Sequence, residues 1–227
     1  MTLNFAPSPR GIRRASDRAV RHRAWLAVTG LILLSLIPVI AGMLRLSQLT
    51  LGAPITPESV RFVASPVPVI AHILGATVYS LLGAFQFVPA LRSKRSWHRV
   101  AGLALIPAGF VTALSGLWMA VFYSSSTGDG GLLMVARLVF GSAMVASLVV
   151  GVCALMRRDF AAHGPWMTRA YAIGVAAGTQ ALILGAWIIF IGPLDGLTNA
   201  LLHGAAWVIN ASAAEFLVVR RARRPLA

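Results

Sequence analysis

The chain has 227 residues, 58% of them apolar and 11% charged, with a formal net charge of +14. Soluble domains carry roughly a quarter charged residues, so this balance excludes an ordinary water-soluble globular protein. The apolar residues gather into six runs of roughly 20, the length that crosses a hydrocarbon core about 30 Å thick, which predicts an all-α polytopic membrane protein, a six-transmembrane-helix bundle.

Residues 1–22 are rich in Arg, Ser and Pro and read as a disordered basic tail. A single transmembrane domain follows over 23–221, then a short basic tail over 222–227. Six arginines from Arg10 to Arg23 precede the first span, about Trp25–Leu46. That charged region and the apolar run behind it are both too long for a cleaved signal peptide, so the span is expected to be retained. His22 lies in the basic stretch and reads as solvated.

The second span, about Val67–Pro89, opens at Pro66 and Pro68, which suit a helix start. His72 falls about 8 Å inside it at 1.5 Å per residue. Gly75 and Ala76 lie one turn on, and Tyr79 and Gly83 continue the same face. Small residues beside a histidine predict a flat recess fit for a planar macrocycle. They equally allow close helix–helix contact. Gln86 near the end of this span is read as an interhelical hydrogen-bonding group.

The third span, about His98–Phe122, starts in Trp97-His98-Arg99. The fourth, about Leu132–Met156, carries Arg137 about one and a half turns in. A buried arginine needs an anion, for which a haem propionate, Asp129, Asp195 and Glu58 all qualify; snorkelling to the surface is the other reading. Cys153, the only cysteine, excludes an intramolecular disulfide, a c-type haem attachment and any multi-cysteine metal site, and is read as a small buried apolar residue.

The fifth span, about Met167–Ile191, follows His163-Gly164-Pro165, with Pro165 placed in the first turn and His163 at or before the helix start. Gly174 and Gly178 form a Gly-x-x-x-Gly pair that favours tight packing. Gln180 joins Asn210 of the sixth span, about Leu197–Val219, as a hydrogen-bonding or pocket-lining group. His203-Gly204 repeats the pattern at His72. Glu215 is expected to pair with Arg99 or Arg169, or to carry protons.

The basic residues are one-sided. Those before the first span, Arg92, Lys94, Arg95 and Arg99, Arg157, Arg158 and Arg169, and Arg220, Arg221, Arg223 and Arg224 make seventeen of the 20. The alternate loops hold Glu58, Asp129 and Asp195, with Arg61 as their only cation. This is the positive-inside pattern, which puts both termini in the cytoplasm and the chain in a cell's inner (plasma) membrane. The excess charge reads as topology and attraction to anionic lipid; without an aromatic-rich basic groove it supports no nucleic-acid partner.

That orientation sorts four histidines into two depth-matched pairs. His72 and His203 lie toward the outer face, and His98 and His163 toward the inner face. An ionisable side chain inside a bilayer is by default a functional-site hypothesis with a partner to be named. His72 and His203 are candidate axial ligands of an outer haem b, with Arg137 on its propionates. His98 and His163 are candidates for a second haem, or for interfacial capping without any cofactor.

Several strings together resemble a bacterial membrane-protein family of unknown function over about residues 67–220. They are His72-Ile-Leu-Gly-Ala, Trp97-His98-Arg99-Val-Ala-Gly102, Arg157-Arg158-Asp159-Phe-Ala-Ala-His163-Gly-Pro-Trp166-Met-Thr-Arg169-Ala-Tyr171, and Glu215-Phe-Leu. At one further remove the four histidines on a helical core resemble the di-haem b-type cytochromes of the ascorbate-reducible type. That resemblance implies bis-histidine haem ligation and transmembrane or quinone-linked electron transfer, with quinone or a redox protein as partner. Two other readings stay open: a small transporter or accessory subunit without cofactor, and a zinc-dependent intramembrane hydrolase using His98, His163 and Glu215.

Overall fold

The computed structural model describes residues 9–52, 54–57, 59–88, 91, 95–123 and 131–223. Glu58 and Asp129, offered above as anions for Arg137, lie outside the described residues. Among those described, every regular element is helical: α1 (Pro9–Thr50), α2 (Val60–Ala64), α3 (Pro66–Ala84) with a 3-10 turn over Phe85–Phe87, α4 (Arg95–Phe122), α5 (Leu132–Met156), α6 (Phe160–Gly174), α7 (Ala176–Phe190) and α8 (Gly196–Ala222). With α6 and α7 taken as one span, six helices are long and apolar enough to cross a membrane.

The helix ends follow local chemistry. Pro66 takes the first helical position of α3, where its missing N–H costs nothing. Asp195 caps α8, accepting from the Thr198 N–H at 2.8 Å and its hydroxyl at 2.7 Å. Asp159 caps α6 by accepting from the Ala162 N–H at 3.0 Å. This last cap corrects the sequence reading. The fifth span begins at Phe160, seven residues before Met167, so His163 is inside the first turn of a helix and Pro165 lies beyond that turn. The first helix likewise runs back to Pro9, into the stretch read as a tail.

Helices α3, α4, α5 and α6 form a closed ring, each against the next and α6 against α3. Outside it, α1 packs on α3 and α7, and α8 packs on α5, α6 and α7. The core of the ring is Tyr79, Leu105, Met144, Leu148, Tyr171 and Val175. Many large apolar side chains are exposed, among them Leu33, Val67, Leu103, Ile189 and Phe190. An apolar outer surface of this extent suits a bilayer rather than water. Cys153 is also exposed, not buried as its type suggested.

Val175 interrupts the fifth span, with φ −88° and ψ 1°. Its two glycines serve different neighbours. A Cβ on Gly174 would sit 2.8 Å from Cε1 of Tyr79 on α3, and one on Gly178 would overlap the Leu34 carbonyl of α1. The Gly-x-x-x-Gly pair therefore seats an aromatic ring and a helix backbone on opposite sides of the break.

Candidate functional site

Among the described residues, two cavities each hold one of the histidine pairs on their walls. The larger, about 610 Å³, has His72 of α3 and His203 of α8 on its wall, together with Thr112 and Gly116 of α4 and Arg137 and Gly141 of α5. The smaller, about 200 Å³, has His98 of α4 and His163 of α6 on its wall, with Gln86, Tyr79, Tyr171 and Arg221. The four histidines thus sort into the two pairs that their depths suggested.

The larger cavity is built from close helix contact. Gly75 meets Thr112 Oγ1 and the Ala108 carbonyl, so α3 and α4 approach backbone to backbone. That approach brings Nδ1 of His72 to 2.9 Å from the Thr112 carbonyl oxygen and 3.2 Å from Ser115 Oγ. A carbonyl only accepts, so Nδ1 carries the proton and Nε2 keeps its lone pair. His203 reaches the same state within its own helix, with Nδ1 2.8 Å from the Asn199 carbonyl. His72 and His203 therefore share a tautomer, set by backbone oxygens. An imidazole that ligates a metal ordinarily gives its other N–H to such an acceptor.

The recess expected beside His72 lies elsewhere. Gly75 is closed by α4, and Gly83 by the ring of Tyr171. Only Ala76 of that face borders the cavity, and the space comes from Gly116, Gly141 and Gly174 on other helices. At Gly116 a Cβ would stand 3.3 Å from Cε1 of His72, so this glycine leaves room for the imidazole. Trp207 flanks the cavity, held by a stacked contact with Phe140 at 5.2 Å and 14°.

Arg137 is on the wall and its side chain is exposed on the surface of the bundle. Its guanidinium is close enough to both imidazoles for its charge to act on each. Asp195 is engaged at its cap. Arg61 is a wall residue that sequence reasoning passed over as a loop cation. It and Arg45 each hold a guanidinium 4.8 Å from the ring centre of Phe62, itself on the wall. Five residues of helix in a short connection leave no periodic signal by which Arg61 could have been found.

At the smaller cavity Nδ1 of His163 lies 2.9 Å from the Gly151 carbonyl, again directing the proton to Nδ1. The side-chain nitrogen of Gln86 is buried without a hydrogen-bond partner among the described residues. Between the cavities stands an aromatic column. Tyr171 is 5.7 Å from Tyr79 and 5.1 Å from Phe87, ring centre to ring centre, and its hydroxyl donates to the Ser80 carbonyl at 2.7 Å.

The other polar groups join helices, and Gln180 also borders the larger cavity. Arg169 donates to Glu215 twice, from Nε at 2.5 Å and from Nη2 at 2.9 Å, and lies 4.6 Å from the Trp166 ring centre. Asn210 donates to the Ala172 carbonyl and accepts from Thr179, and Gln180 donates to the His203 carbonyl at 3.4 Å. No group of three or more His, Cys, Asp or Glu placed to hold a metal ion occurs among the described residues.

A six-span helical membrane protein with a pair of histidines on the wall of each of two cavities is the class that fold and site define. The model of the family described as predicted membrane protein (DUF2306) matches residues 69–218, more than half of the chain, and the chain belongs to that family. Neither the curated proteins nor the solved structures gave a match.

Proposed function

We propose that this protein is a b-type cytochrome-like carrier of electrons in the membrane, with one haem held in the larger cavity. The observation that carries this reading is the meeting of His72 and His203 on one cavity wall, each with Nδ1 tied to a backbone carbonyl. Two neutral imidazoles with Nε2 available are the donor set of bis-histidine haem b. The volume of about 610 Å³ falls within the roughly 300–1,000 Å³ of cofactor and small-ligand sites. Arg61 and Arg137 supply two guanidinium groups for two propionates, and Trp207 gives a flat apolar flank. The residues present fit the group.

When bound, haem supplies one-electron chemistry. The chain's own residues would hold and orient it: the Thr112 and Asn199 carbonyls aim the two imidazoles, and the apolar part of the wall would help to set the potential. The smaller cavity, at about 200 Å³ against about 610 Å³, has no room for a second macrocycle, so this reading assigns one haem. Glu215 is taken by Arg169, so nothing favours a zinc site with His98 and His163. The one-sided arginines support a cytoplasmic basic end and a place in the bacterial inner membrane.

The test is the absorption spectrum of the purified full chain from haem-sufficient cells. A Soret band that sharpens on reduction is expected. A colourless protein with no Soret band after haem reconstitution overturns the reading.

A further inference from the structure

We propose that the smaller cavity binds the head-group of a lipid-tailed quinone or quinol. The inference rests on the electron-transfer reading for its purpose, while the binding geometry stands apart from it.

The size selects a single ring: about 200 Å³ is too small for a macrocycle and ample for one six-membered ring. The walls select its character. Phe87, Phe160, Tyr79 and Tyr171 offer aromatic surfaces, and Leu105 and Leu148 complete an apolar lining. The polar groups are few and complementary. Gln86 Nε2 is a buried donor with no hydrogen-bond partner among the described residues, a state costly unless something accepts from it. His163, with Nδ1 committed to Gly151, presents Nε2 as an acceptor. A quinone carbonyl accepts from Gln86 once that side chain turns its Nε2 toward the ring; a quinol hydroxyl donates to His163.

The opening selects a ligand that arrives through lipid. Phe160, 67% exposed at the start of α6, and Arg221 at the end of α8 border the cavity where the apolar belt meets the arginine-rich end. A head-group held there leaves its tail in the bilayer.

The cavity also owes its existence to missing side chains. Gly102, one turn after His98, and Gly164, next to His163, both border it, and a Cβ built on either meets nothing within 4 Å. A larger residue at Gly102 has open space to occupy, so it plugs the cavity without displacing a helix. The two cavities share a partition: Tyr79 borders the smaller one, and its ring lies against Gly174 and is close to Met144 at the same glycine, both on the wall of the larger.

The test is equilibrium binding of a benzoquinone with a ten-carbon tail to the full-length protein in nanodiscs, with the Soret band recorded on the same samples. Saturable binding by wild type is expected, weakened about tenfold by Gln86→Leu, the value of one hydrogen bond to a buried partner, and at least as much by Gly102→Leu. Leu182→Ala, exposed on α7 and bordering neither cavity, serves as the control and should bind as wild type. Equal affinity in wild type, Gln86→Leu and Gly102→Leu overturns the proposal. So does equal affinity for a fatty acid of the same tail length, which would make the site a lipid-tail groove. A protein with a Soret band but no saturable quinone binding overturns this inference and leaves the haem reading; a colourless protein whose quinone binding is lost in Gly102→Leu does the reverse.

Discussion

The imidazole of His72 on α3 is aimed by the backbone of another helix: its Nδ1 lies 2.9 Å from the carbonyl oxygen of Thr112 on α4. A side-chain partner could rotate away, but a helical carbonyl cannot, so both tautomer and ring direction are fixed by the α3–α4 contact. That contact depends on Gly75, where any Cβ meets Thr112 and Ala108.

On the haem reading, His72→Ala and His203→Ala are each expected to reduce haem absorbance to about a tenth of wild type or less, since either removes a proposed ligand, while membrane insertion is retained. Gly116→Val should shift the spectrum without abolishing it, because its side chain presses on Cε1 of His72. Spectra and membrane-fraction yields measured together check this. A full wild-type spectrum in both histidine variants removes the ligand assignment.

Arg61→Gln and Arg137→Gln are expected to loosen the haem by about tenfold each, the loss of one charge-assisted pair, with the two-histidine spectrum preserved. Haem transfer to an apo-globin acceptor measures it. Retention equal to wild type in both variants would detach these arginines from the propionates.

Tyr171→Phe removes the hydroxyl that donates to the Ser80 carbonyl at 2.7 Å. Ser80 lies inside α3, so its carbonyl keeps its helical partner, and the cost is that of one buried hydrogen bond, about 0.5–1.5 kcal/mol. Thermal unfolding in detergent should move down by about 2–4 °C per kcal/mol. No shift would mean that the ring contacts alone hold the column.

Asp195 lies ahead of α8, where the Thr198 N–H and then its hydroxyl hold the carboxyl below the usual carboxylate range. A group depressed on folding stabilises the fold above its unfolded value and loses that contribution as pH falls through the folded one. The cap should therefore be intact at neutral pH and weaken only in acid, below about pH 4. Asp195→Asn keeps a cap and should flatten that acid limb; Asp195→Ala should fray the first turn at every pH. Amide exchange at Thr198 and Asn199 across pH reads both effects.

The spans were legible because a bilayer imposes length and apolarity, and six runs satisfy both. The histidine pairs were legible because depth along a helix is arithmetic. What packs on a helix face is not: the small residues beside His72 shared a face as read, yet two of them are filled by Thr112 and Tyr171, and the open space comes from glycines on other helices. The start of the fifth span was misplaced because Gly164-Pro165 read as a helix entrance, while the decisive residue was Asp159, whose cap opens the helix before His163. Gln86, read as an interhelical hydrogen-bonding group, borders the smaller cavity, and its nitrogen has no hydrogen-bond partner among the described residues.

The break at Val175 gives the two halves of the fifth span different neighbours. Below it, α6 is keyed to the ring through Tyr79 and Tyr171; above it, α7 packs on α1 and α8. Gln180 on α7 donates to the carbonyl of His203 on α8, whereas His72 is aimed from within the ring by Thr112. One imidazole of the chamber is thus seated by the ring and the other by a helix outside it.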